Sequence, residues 1–201
     1  MSDMSSGGSD AVRIIASKVY SSIAKTAERS LSDWEIKLRD AEAAVRLDPS
    51  STSNLDKFAL AHNELLRQSC IVIVFAAAAL EAYIYDYGAR KKSDTFMKKY
   101  VDKLDLVAKW AVVPQLVLGK PFPTDRRGFE LLGKLASSRN KLIHFKSGSE
   151  NESMSPKWLV AAAKQAVEAL NEIVEDMAGF DPDESPWLDF SEGTDLWTSA
   201  P

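Results

Sequence analysis

The sequence predicts an all-α protein, an antiparallel helical bundle of about five helices. Three observations carry that expectation. Apolar residues recur at helical spacing along nearly the whole chain. No run alternates polar and apolar residues between turn signals, as a half-buried strand would. Pro, Gly, Ser and Asn gather in a few short stretches that separate the periodic segments. A chain of 201 residues can bury a core of this kind as one domain without disulfide or metal staples. The expected layout is a disordered N-terminus over 1–9, a helical domain over 10–180 and an acidic, aromatic tail over 181–201.

The first helix is expected over about 10–47, with a break near Ser30, and the cluster DPSSTSN ends it. Ser53 or Asn54 then caps a second helix that runs to about Tyr87, where Gly88 stops it and Arg90, Lys91 and Lys92 lie near its negative C-terminal pole. Its segment CIVIVF has strand composition, but helix formers flank it with no Gly or Pro break, so context outweighs propensity. A third helix is expected over about 93–112, followed by an irregular connection carrying Pro114, Gly119, Pro121 and Pro123. Thr124 suits the N-cap of a fourth helix reaching about His144, with Asp125 in its first turn. After the polar loop KSGSENES, Ser155 and Pro156 form the start of a fifth helix that ends near Met177, with Gly179 as its stop.

Composition narrows the function. The single cysteine, Cys70, sits among apolar neighbours and reads as a small core residue in a reducing compartment. No charged segment followed by an apolar one opens the sequence, so a cytoplasmic chain without a signal peptide is expected. The run from Cys70 to Leu80 is shorter than the roughly 20 apolar residues that cross a bilayer, which predicts a core helix and no membrane partner. The net charge of −4 hides a split: the segment from Asp181 onward carries −6 and no Lys or Arg, so the remainder is +2. No Gly-rich phosphate loop and no Cys/His set at ligand spacing is present, so neither a cofactor nor a metal is expected.

One stretch breaks the pattern. In LASSRNKLIHF, residues 135–145, an arginine stands where the buried stripe of a helix calls for an apolar residue. At about 100° per residue, with Leu132 at zero, an apolar arc runs from Leu131 at about 260° to Phe129 at about 60°, and Arg139 falls inside it at about 340°. An unpaired guanidinium buried there would cost several kcal/mol of desolvation. Two resolutions are open. Glu81, in the apolar second helix, can pair with Arg139 in a structural ion pair, the basis of a non-catalytic dimeric helical interaction module. Alternatively, the end of the fourth helix lies at a cleft or subunit interface where Arg139, with Asn140 and His144 on the same rim, faces an anion.

The motif RNKLIH, an arginine and a histidine separated by four positions late in an all-α chain, resembles the signature of the HEPN superfamily (higher eukaryotes and prokaryotes nucleotide-binding). FAAAALEAYIYDY in the second helix is similar to the stretch that precedes that motif in the family. The resemblance covers roughly residues 55–178. It implies a helical bundle that pairs as a homodimer and a metal-independent endoribonuclease of the toxin or phage-defence kind, with RNA as substrate and a neutralising antitoxin or other protein partner. It further implies that Arg139 and His144 are the catalytic pair, that Asn140 is the polar residue following the arginine, and that Glu81 is the supporting acid of the earlier helix.

The chemistry agrees with those residue types. Cleaving RNA without a metal needs a base for the 2′-hydroxyl proton, an acid for the leaving 5′-oxygen and positive charge beside phosphorus. Histidine suits the first two roles and the planar fork of arginine the third. One chain offers only His62 and His144, and His62 has no arginine or asparagine grouped with it, so it reads as a surface histidine. A two-histidine site therefore requires two chains related by a twofold axis. Between Lys120 and Lys146 the local charge is +5, which makes Arg126, Arg127, Lys134, Lys141 and Lys146 candidate phosphate contacts. The apolar residues interleaved with the tail's acids predict that the tail docks on the bundle or a partner and competes with RNA for basic surface.

Overall fold

The computed structural model describes residues 7–143 and 155–187. Among these residues there are six helices and no strand, an all-α bundle. The elements are α1 (Gly7–Leu47), α2 (Thr52–Lys91), α3 (Asp94–Phe96, continued by a π-turn over Met97–Val101), α4 (Leu106–Leu118), α5 (Arg127–Ile143) and α6 (Pro156–Phe180), with a closing 3-10 turn over Pro182–Trp187.

Several boundaries differ from the sequence expectation, each for a local reason. Helix α1 does not break at Ser30, because the Ser30 hydroxyl donates to the Ala27 carbonyl (2.7 Å) within the helix. Ser51, rather than Ser53 or Asn54, caps α2 by accepting from the Asn54 amide, while the Asn54 side chain donates to the Ala44 carbonyl and ties α2 to α1. Gly88 does not stop α2. It lies buried inside the helix, where a Cβ would come within 2.5 Å of Met97 and 2.9 Å of Val113. The missing side chain there serves close packing rather than a turn.

The expected third helix is two elements. Ser93 caps α3, the π-turn ends at Val101, and Asp105 starts α4 afresh by accepting from the Ala108 amide at 2.8 Å. Pro114 lies inside α4 and not in a loop, since burying Trp110, Val113 and Pro114 on one face offsets one lost backbone bond. Helix α4 ends at Gly119, whose φ of 72° is the left-handed conformation that favours glycine. Helix α5 starts at Arg127, three residues after Thr124. Ser155 caps α6 with Pro156 in its first turn, as the sequence suggests, and α6 continues past Gly179 to Phe180.

Helix α2 is the axis of the bundle and packs against α1, α4, α5 and α6. By length and composition it is apolar enough to cross a bilayer. In the structure its Val72, Ile73, Ala76, Leu80 and Ile84 are covered by the neighbouring helices. An aromatic cluster of Tyr83, Trp110, Phe122 and Phe180 locks α2, α4 and α6 together, and the Trp110 indole donates to the Leu80 carbonyl at 3.2 Å.

The start of the acidic stretch is docked on the bundle. Arg90 binds Glu184 through both terminal nitrogens (3.1 and 2.8 Å) and Asp86 through Nε (2.9 Å). Lys91 adds a 3.2 Å contact to Glu184, and the Tyr87 hydroxyl donates to Asp181 at 3.0 Å. The basic end of α2 thus holds the 3-10 turn by charge. The rest of the tail, from Leu188, lies outside the described residues.

Candidate functional site

Helix α5 answers the question its sequence raises. Leu131, Leu132 and Leu135 are buried, Ala136 and Leu142 are half-buried, and Ile143 is 53% exposed. The apolar stripe therefore runs on after the core has ended. Arg139 sits at the edge of the core, half-buried, so no buried counter-ion is needed to hold it there.

Arg139 and Asn140 line a cavity of about 360 Å³ between α2, α4 and α5, whose other walls include Glu81, Asp105 and Ala136. The only hydrogen bond of the guanidinium among the described residues is to the Asn140 carboxamide oxygen, at 3.4 Å. The structural ion pair between Arg139 and Glu81 is not formed. Glu81 instead accepts from Lys109 Nζ at 2.7 Å. Asp105 is engaged as the α4 cap. Both carboxylates of the cavity thus have partners within the chain, and the guanidinium has no carboxylate among the described residues.

The other predicted residues divide. His144 and Lys146 lie outside the described residues. Arg126 pairs with Asp176 at 2.9 Å, Arg127 with Glu168, and Lys134 with Glu130 at 2.6 Å, while the Lys141 ammonium lies 5.3 Å from the Trp158 ring centroid. The cations expected to meet phosphate are mostly matched by acids of α5 and α6, so the local charge of the sequence overstates the free positive charge of the surface. His62 stacks on Phe58, with ring centroids 5.9 Å apart, on the wall of a separate cavity of about 860 Å³ between α1, α2 and α6. Among the described residues no group of three or more His, Cys, Asp or Glu is placed to hold a metal.

Lys109 was missed by sequence reasoning. On α4, with Leu106 at zero, it falls at about 300°, between Leu116 at about 280° and Val113 at about 340°, inside the apolar arc that runs on through Leu106 to Trp110 at about 40°. The test that singles out Arg139 therefore also singles out Lys109, which is 3% exposed. Comparison with protein-family models, with curated proteins and with solved structures returned no match.

Proposed function

We propose that this chain is a HEPN-like metal-independent endoribonuclease that works as a homodimer, of the toxin or phage-defence kind, with Arg139 and His144 of each copy forming a composite site. The observation that carries the reading is the state of Arg139: a guanidinium on an apolar stripe, beside a cavity whose two described carboxylates, Glu81 and Asp105, are engaged elsewhere. Such a group is available to an oxyanion. The exposed side chain of Ile143 at the end of α5 supports pairing of two copies there.

In the proposed reaction one imidazole removes the 2′-hydroxyl proton as the O2′–P bond forms. His144 of the partner subunit gives a proton to O5′ as the P–O5′ bond breaks. The guanidinium stabilises the charge developing on the non-bridging oxygens, and Asn140 orients it. The products are a 2′,3′-cyclic phosphate and a 5′-hydroxyl end.

The test is incubation of purified wild type and His144→Ala with total RNA in the presence of chelator, alongside the mass of the protein in solution. Cleavage by the wild type, reduced at least about 10²-fold in His144→Ala, with a dimeric mass, is the expected result. Intact RNA at every protein concentration overturns the reading.

A further inference from the structure

Behind the cavity that Arg139 lines, on the far side of Glu81, stands a second cation with no role in the reading above. Lys109 comes from α4, its side chain is only 4% exposed, and its ammonium bonds Glu81 at 2.7 Å. Burying a lysine is costly unless it is paired. Glu81 is more exposed than Lys109, at 37% of its side chain, and borders the same cavity as Arg139.

The charges facing the cavity are Glu81, Asp105 and Arg139, with Lys109 reaching it through Glu81. With all four present the group is neutral. Without Lys109 it is −1, and Glu81 becomes a free carboxylate beside a free guanidinium. The short, part-buried contact between α4 and α2 and the long, exposed one between Arg139 and Asn140 then have a common cause: the carboxylate that could capture Arg139 is already taken.

We infer that Lys109 is a positioning residue for Arg139, acting through Glu81: it withholds the described carboxylate of the cavity that is not tied up as a helix cap and so keeps the guanidinium free for an external oxyanion such as an RNA phosphate. The inference rests on the ribonuclease reading for what the guanidinium is used on, and not for its being free.

The experiment follows Arg139 itself. Full-length wild type, Lys109→Met, Glu81→Gln and the double variant are treated with phenylglyoxal at a concentration where all share one association state, and modification of Arg139 is timed by peptide mass. Lys109→Met should slow modification about fivefold, the size of a partly exposed ion pair, and lower RNA affinity to a similar degree. Adding Glu81→Gln should restore both, although Lys109 is still absent. An unchanged rate in Lys109→Met overturns the inference, as does failure of the double variant to recover. Glu81→Gln alone decides the matter if Lys109→Met does not fold. Its rate should match the wild type, and a rise of about fivefold would mean that Glu81 already holds Arg139. If modification follows this pattern while no variant binds or cuts RNA, the ribonuclease reading fails and the role of Lys109 stands.

Discussion

Lys109 on α4 and Arg139 on α5 are both cations placed within the apolar arc of a helix, and the fold treats them in opposite ways. Lys109 falls where α4 presses on α2, so it is buried and must find a carboxylate, which Glu81 provides. Arg139 falls where α5 stands at the edge of the core, so it stays half-buried with a cavity in front of it. A charge in an apolar stripe therefore does not by itself report a structural ion pair or a binding site. What separates the two is whether the neighbouring helices close on the position or leave a cavity in front of it.

The contrast can be pressed from the paired side. Arg90 is a more deeply committed cation than Lys109, shared between Asp86 and a Glu184 side chain that is 2% exposed. Glu184→Ala should cost about 3 kcal/mol in urea denaturation, because it leaves buried positive charge with fewer partners. A loss below about 1 kcal/mol would mean that the 3-10 turn is not held as described.

Lys109→Ala should cost about 2 kcal/mol, less than Glu184→Ala because the exposed side of Glu81 can regain water. Arg139→Ala should cost no more than about 0.5 kcal/mol while lowering RNA affinity, as expected of a surface group kept for a ligand. Equal losses of stability from these two alanine variants would erase the distinction. So would RNA affinity that falls with Lys109→Ala and not with Arg139→Ala.

The smallest effect is in alkaline solution. Burial first, and then the bond to Asp181, push ionisation of the Tyr87 hydroxyl above its ordinary range. The neutral form is thus favoured more in the fold than in the unfolded chain. The contribution is complete below the unfolded value of about pH 10 and is lost as pH rises beyond it. Tyr87→Phe should flatten the decline in stability above about pH 10, followed by circular dichroism. An identical alkaline profile would remove Tyr87 from the paired cluster.

Much of the bundle was legible in the sequence because its signals are local. Ser155 followed by Pro156 marks the start of α6 by cap and φ preference alone. The Leu131, Leu132 and Leu135 stripe names the buried face of α5 by periodicity alone. The failures share a different origin. Gly88 reads as a stop until Met97 and Val113 are placed against it. Pro114 reads as a breaker until the buried face of α4 offsets its lost bond. The basic residues of α5 read as a phosphate surface until Asp176 and Glu168 of α6 are set beside Arg126 and Arg127.

The candidate site shows the same division. Arg139, Asn140 and the anomaly of a guanidinium in an apolar stripe are visible in eleven residues of sequence, as is the separation of Arg139 from His144. That Glu81 belongs to Lys109 is not, because the two lie on different helices and either cation is a chemically adequate partner. Periodicity determines which side of a helix a residue occupies, since 3.6 residues make a turn whatever surrounds it. Only the tertiary structure decides how far each stripe is covered and which carboxylate meets which cation, because pairing and desolvation depend on distances between segments remote in the chain.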